Sequence, residues 1–237
     1  MALLLLLLTV SSGLKAEQRK TYAEHSPSWL QAVGKLDVPG IQFAEGKRRH
    51  QQENCSGTLV APAGKQLADI VITAWHCLEF YRDLSRPITF TLLPGSDRVT
   101  RREAYRLADG GGMYADWALL KLYHPVDTGT IPAMELSMEQ SDPQRNVTMA
   151  GFSGDQGLGR DGAVLTYHEN CRITRQQREG SETDCSAYKG ASGGAVVQLS
   201  PQGRPQLTGV ISRGNSEGIS IYVPVADFRR SLEQHLN

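Results

Sequence analysis

Three residues of this chain have types and surroundings that could together activate a hydroxyl: His76, Asp116 and Ser192. Ser192 stands in Lys189-Gly190-Ala191-Ser192-Gly193-Gly194-Ala195-Val196-Val197, a serine among glycines with an apolar run directly behind it. Glycines beside a nucleophile let the backbone turn tightly and bring its N–H groups close to a reacting carbonyl. Alone, the stretch reads as readily as a Gly-Ser loop. In Val71-Ile72-Thr73-Ala74-Trp75-His76-Cys77 a strand runs into His76 beside a cysteine, where the bland reading is a structural histidine beside a disulfide. Asp116 opens Asp116-Trp117-Ala118-Leu119-Leu120-Lys121-Leu122, where it could simply start a strand. The three together hold what acyl transfer by serine needs: a nucleophile, a base for its proton, and an acid that fixes the tautomer of the base and stabilises the imidazolium.

The elements that must position them read as strands. Short apolar, β-branched runs recur between Gly, Pro and Asp: Gly57-Thr58-Leu59-Val60-Ala61, Ile70-Val71-Ile72-Thr73-Ala74, Ile88-Thr89-Phe90-Thr91-Leu92-Leu93, and residues 117–122. The second half repeats the pattern at residues 147–150, 163–167, 195–199, 207–212 and 219–223, and residues 32–38 give a first strand. This spacing predicts an all-β sandwich or barrel. A single helix is expected at the end, where Pro224 precedes Val225, Phe228, Leu232 and Leu236 at near-helical spacing. Residues 17–28 read as a flexible polar lead-in, residues 44–54 as a charged loop, Gly110-Gly111-Gly112 as a mobile loop, and residues 125–144 as the linker between halves. There is no internal repeat.

A chain of 237 residues with 40% apolar content can bury a sizeable core. Lys+Arg and Asp+Glu are both 25, so nothing points to nucleic acid or an anionic membrane as partner. Residues 2–8 are Ala and six leucines, too short to span a bilayer and suited to a secretory signal cleaved after Ala16. Two features depart from that pattern: no positive charge precedes the leucines, and Leu14 is bulky. The protein is therefore expected to be secreted or periplasmic, free of the membrane after cleavage, and monomeric. Cys55, Cys77, Cys171 and Cys185 form an even set, which behind a signal implies two disulfides of open connectivity. The sequence-nearest pairs would each close a loop worth roughly 3 kcal/mol. A zinc site fails on ligand spacing, and neither metal nor cofactor is expected. Asn54-Cys55-Ser56 and Asn146-Val147-Thr148 match the N-glycosylation pattern, which is common by chance.

Four stretches resemble the trypsin/chymotrypsin-like serine endopeptidases. Cys55-Ser56-Gly57-Thr58-Leu59-Val60 resembles the strand before that family's catalytic histidine. Thr73-Ala74-Trp75-His76-Cys77 resembles its Thr-Ala-Ala-His-Cys, Asp116-Trp117-Ala118-Leu119-Leu120 its Asp-Ile-Ala-Leu-Leu, and Gly190-Ala191-Ser192-Gly193-Gly194 its Gly-Asp-Ser-Gly-Gly. The order His, Asp, Ser is also the family's. The resemblance runs from about residue 32 to the C-terminal helix. It implies an all-β fold of two six-stranded antiparallel barrels, the first over about residues 31–124 and the second over about 145–223, followed by a helix at 224–237. Residues 1–16 then form the signal, and 17–30 an extension or short pro-segment. It further implies a Cys55–Cys77 disulfide, an oxyanion hole from the N–H groups of Gly190 and Ser192, and protein or peptide substrates cleaved through an acyl-enzyme.

The departures are informative. The family's acid just before the nucleophile is Ala191 here, and no Ile-Val-Gly-Gly-like start precedes the first strand. Both absences argue against activation by a freed N-terminus, so the chain looks like the bacterial secreted, glutamyl-endopeptidase-like branch. Support of the oxyanion loop is then expected from a Cys171–Cys185 bridge. By position, the specificity pocket comprises Ser186, Ser212, Arg213, Gly214 and Ser220, with residues 187–189 beside them. No trypsin-like acid stands at Ser186, and Ile211 replaces the histidine expected of glutamyl endopeptidases. Arg213 would favour acidic side chains, unless it is only a solvated rim residue. A catalytically inactive binding protein on the same fold is the alternative. An α/β-hydrolase esterase fails on the order of the three residues and on the absence of a helix after Ser192.

Overall fold

In the computed structural model, residues 18–137, 139–177, 180–215 and 218–236 are described. The expected signal segment, residues 1–16, lies outside them.

The first half closes on itself. Strands β2 (Val33–Ala44), β3 (Lys47–Val60), β4 (Leu67–Thr73), β5 (Ile88–Leu92), β6 (Thr100–Asp109) and β7 (Ala118–Asp127) form a closed antiparallel barrel in the order β2-β3-β4-β7-β6-β5. Its interior is filled by side chains such as Leu36, Leu59, Ile72, Phe90 and Leu119, all fully buried. Closure leaves no edge to solvate, so apolar residues can alternate inward along every strand.

The second half is a sheet of eight strands rather than the six expected. It contains β8 (Val147–Gly151), β9 (Thr166–Cys171), β10 (Ile173–Gln177), β11 (Gly180–Thr183), β12 (Ala195–Leu199), β13 (Pro205–Gly214) and β14 (Ser220–Pro224). The eighth is β1 (Lys20–Thr21), from the N-terminal segment, which pairs with β9 at one edge. The order is β1-β9-β8-β12-β13-β14-β11-β10. A 3-10 turn over Val225–Phe228 then leads into α1 (Arg229–His235). Buried Phe228 stacks on Trp117 with ring centroids 4.8 Å apart, which ties the C-terminus to the residue after Asp116.

Three expectations change. The charged stretch 44–54 is not a loop: β2 and β3 pair without a break from Val33↔Thr58 to Ala44↔Lys47. Glu45 and Gly46, both at positive φ, make the two-residue turn that matches the twist of a hairpin. The lead-in is not flexible either, since β1 joins the sheet and Arg19 is only 6% exposed. The triple glycine forms a compact turn, in which Gly111 N donates to Asp109 Oδ1 and Gly110 N to Trp117 O.

Candidate active site

His76 lies on a 3-10 turn, Trp75–Leu78, directly after β4, and Asp116 lies two residues before β7. Because β4 and β7 pair, with Thr73 opposite Ala118, the two residues emerge side by side. The disulfide Cys55–Cys77 anchors the turn to β3. Asp116 is fully buried, and His76 keeps 28% of its side chain exposed. His76 Nδ1 lies 3.1 and 2.9 Å from the two Asp116 oxygens, and the His76 backbone N–H donates to Oδ1 at 2.9 Å. A carboxylate can only accept, so Nδ1 carries the hydrogen and Nε2 presents its lone pair. The Ser212 hydroxyl completes the set, donating to Asp116 Oδ2 at 2.5 Å. Burial alone would push the Asp116 carboxyl up; the hydrogen bonds and charge of His76, with the Ser212 hydroxyl, hold it below the ordinary carboxylate value.

Ser212 reaches Asp116 through an irregularity in β13. The register with β14 slips between Ile211 and Arg213, so Ser212 falls out of the ladder. Among the described residues this is the side-chain hydrogen bond that links the second sheet to the buried acid, and nothing in the local sequence signals it.

Ser192 comes from the turn between Tyr188 and β12. Here each glycine has a steric reason. Gly190 has φ +95°, and a Cβ there would sit 2.5 Å from Phe152 O. At Gly193, φ +81°, a Cβ would meet the Thr73 hydroxyl and Ser56 O. The turn is tied to β13 by Gly193 N to Ile211 O at 2.7 Å and Ile211 N to Gly194 O at 3.0 Å. It is also tied across to the first barrel. Ser56 N donates to Ser192 O, and the Ser56 hydroxyl donates to Gly190 O while accepting from Phe152 N, all at 2.8 Å. Ser56 sits inside a motif legible in the sequence, yet its bridging role depends on contacts 96 and 134 residues away.

Among the described residues the Gly190 and Ser192 N–H groups meet no acceptor. The Ser192 hydroxyl contacts Ser212 O at 3.4 Å rather than the imidazole. His76, Met113, Tyr188, Lys189, Ser192 and Arg213 face a common cleft of about 390 Å³. Larger hollows of about 720 and 770 Å³ lie elsewhere and contain none of these groups. Of the expected pocket residues, Ser212, Arg213 and Gly214 line the cleft, whereas Ser186 and Ser220 do not. Ser186 N donates to His168 Nδ1 at 2.9 Å, and the fully buried Ser220 gives its hydroxyl to Cys185 O. Met113 and Lys189 add an apolar and a cationic element to the wall. The bridge Cys171–Cys185 packs in one apolar cluster with Ala187 and Ala191, beneath the Ser192 turn. Each disulfide occupies all its sulfur, so the two Cys–His groupings in the fold offer no thiolate to a metal.

Known proteins agree with this architecture. The chain is similar to the protease Anisep of Arthrobacter nicotinovorans (15% identity, TM-score 0.67, covering 91% of this chain and 98% of that one). It is similar to the Rv3671c protease of M. tuberculosis in its active form (16%, TM-score 0.61, 86% and 81%). A serine endoprotease from Yersinia pestis also matches (19%, TM-score 0.59, 88% and 64%). At these identities the likeness is one of fold, and the fold is chymotrypsin-like. A search among curated proteins finds no match. The trypsin-like peptidase domain model matches residues 55–205, a span that holds His76, Asp116 and Ser192. The chain belongs to the trypsin-like peptidase domain family.

Proposed function

We propose that the protein is an exported serine endopeptidase working through His76, Asp116 and Ser192. One observation carries the reading: His76, hydrogen-bonded to buried Asp116, lines one cleft with Ser192, and among the described residues the N–H groups of Ser192 and nearby Gly190 meet no acceptor. The Ser192 hydroxyl turns from Ser212 O toward His76 Nε2, gives up its proton, and Oγ bonds to the scissile carbonyl carbon. The carbonyl oxygen, now negative, is received by Gly190 N–H and Ser192 N–H, each such donor contributing roughly 2.7–4 kcal/mol. His76 passes its proton to the leaving nitrogen, the C–N bond breaks, and an acyl-enzyme remains. A water molecule, deprotonated by His76, releases it. Asp116 holds the tautomer and the imidazolium throughout.

The cleft wall carries two cations, Lys189 and Arg213, both exposed. We therefore propose a preference for acidic side chains near the cleaved bond. It resembles the habit of the glutamyl-endopeptidase branch, but Ile211 rules out reliance on a histidine at that position. Export rests on the leucine-rich N-terminus and on two disulfides, which persist in oxidising compartments. No helix among the described residues is long and apolar enough to cross a membrane. The mature chain is taken to act as a monomer.

Turnover of a peptide library by the purified, disulfide-bonded protein tests the reading, with Ser192→Ala as control. Cleavage that vanishes in the control supports it; equal cleavage in both refutes it. A binding protein on this fold is the second reading, favoured by the contact of Ser192 with Ser212 O instead of His76. Retention of a partner with no turnover of any peptide would select it.

A further inference from the structure

Ala191 stands where the family resemblance puts an acid, so the turn beside it must be held in another way. An N–H that receives an oxyanion serves only while its peptide keeps one orientation. The Lys189–Gly190 peptide is held by its carbonyl, which accepts from Gly154 N at 2.6 Å. In a trans peptide C=O and N–H point in opposite directions. This bond therefore turns the Gly190 N–H away from residue 154 and leaves it for an incoming oxygen.

The neighbours of both partners in that bond, Asp155 and Tyr188, are gripped by one side chain. Arg19 donates to the two carboxylate oxygens of Asp155 at 2.8 and 3.2 Å. Its guanidinium also lies 4.0 Å over the Tyr188 ring. The side chain is 2% exposed, an unusual place for a cation, and one that requires a paired charge and satisfied donors. A planar guanidinium fits a carboxylate fork and an aromatic face at once, which a lysine cannot do. Beside it, Gln18 Oε1 accepts from His168 Nε2 at 3.2 Å, and His168 Nδ1 accepts the Ser186 N–H. Next in the chain, β1 pairs with β9. The segment thus holds the nucleophile loop at both Ser186 and Tyr188. Signal cleavage after Ala16 would leave it in the mature protein.

We propose that Arg19 is a positioning residue for the peptidase reaction, clamping Gly154-Asp155 to Tyr188-Lys189 so that the Gly190 N–H stays directed at the developing oxyanion. This rests on the peptidase reading above. It assigns to an internal side chain of the N-terminal segment the support that a freed N-terminus cannot give where Ala191 replaces the acid.

The experiment measures kcat and KM for a cleaved peptide, and affinity for a peptide boronate, which binds as a tetrahedral anion. Wild type, Arg19→Ala, Arg19→Lys and Asp155→Asn are compared as disulfide-bonded proteins, each scaled to its folded fraction by circular dichroism. Arg19→Ala is expected to lower kcat and boronate affinity about 100-fold, the scale of one lost oxyanion donor. KM should stay within about threefold, because Arg19 itself does not line the cleft. Arg19→Lys should recover part of the loss, since it keeps the charge without the fork. If Arg19→Ala does not fold, Asp155→Asn decides, with an expected loss of about 10-fold in kcat. Wild-type kcat and boronate affinity in folded Arg19→Ala or Asp155→Asn, with only a lower melting temperature, would overturn the inference and leave the peptidase reading intact. An inert wild type would overturn both.

Discussion

In the first barrel, Asp116 is fully buried and bound to His76 at 2.9 and 3.1 Å. In the second sheet, Ser192 is half-buried and its hydroxyl rests 3.4 Å from Ser212 O. The first pair is built by neighbours in one closed barrel: β4 ends three residues before His76, β7 begins two residues after Asp116, and a disulfide at Cys77 fixes the turn that carries the histidine. The Ser192 turn has two hydrogen bonds of its own among the described residues, Ala191 N to Tyr188 O and Gly194 N to Ala191 O, both at 2.9 Å. It is held from outside by Ser56 of the first barrel, Gly154 of an adjoining loop, β13, and Arg19 of the N-terminal segment. A buried, doubly hydrogen-bonded pair tolerates little variation, whereas a glycine turn with open N–H groups depends on what packs on it. The half that holds Asp116 and His76 is thus pre-formed, and the half that holds Ser192 and the proposed oxyanion donors depends on distant residues.

The largest effect should come from the pre-formed half. Asp116→Asn removes the acceptor that fixes the tautomer of His76 and should lower kcat about 10⁴-fold with the fold retained. Steady-state kinetics on a variant of unchanged circular dichroism would check this. A loss below about 10-fold would mean that Asp116 does not fix the tautomer of the base. Next comes the bridge between the halves. Ser56→Ala strands Gly190 O and Phe152 N without their shared hydroxyl, at about 1–3 kcal/mol, or roughly 10- to 100-fold in kcat. The loss should fall on kcat and boronate affinity rather than on KM. Ser212→Ala, which removes one donor from a carboxylate that keeps its imidazole and backbone N–H, should cost about 10-fold.

Acidification sharpens the same contrast. The folded Asp116 carboxyl titrates below its ordinary value, so the unfolded state binds its proton first as pH falls. Its contribution to stability is therefore complete above the ordinary carboxylate range near pH 4 and is lost only as pH drops through the folded value. Denaturant unfolding of wild type and Asp116→Asn should show a loss of unfolding free energy below about pH 4 that is smaller in the variant; equal losses would contradict a depressed Asp116 carboxyl.

The unequal legibility of the two halves has the same root. His76, Asp116 and Ser192 stand in short stretches whose local chemistry is visible, and strand periodicity marks the barrel around the first two. The β2–β3 hairpin escaped because residues 47–53 carry no apolar alternation. They extend as a strand by pairing with β2, whose buried positions are elsewhere in the chain. Arg19 escaped because its partner Asp155 is 136 residues away and neither sits in a patterned stretch. Ala191 did signal that something must replace an ion pair. The Cys171–Cys185 bridge expected in that role lies beneath the turn, while the polar contacts that orient it come from Ser56, Gly154 and the Arg19 clamp. Local sequence shows which groups can react; the contacts that aim them are long-range and appear only in the fold.

The central claim is that Ser192 is a nucleophile activated by His76. Fluorophosphonate labelling of the disulfide-bonded protein, with the modified peptide mapped by mass spectrometry, tests it most directly. The account predicts one adduct, on Ser192, abolished in Ser192→Ala and slowed at least about 10³-fold in His76→Ala. Labelling that persists in Ser192→Ala, or a wild type that takes no label, would contradict it.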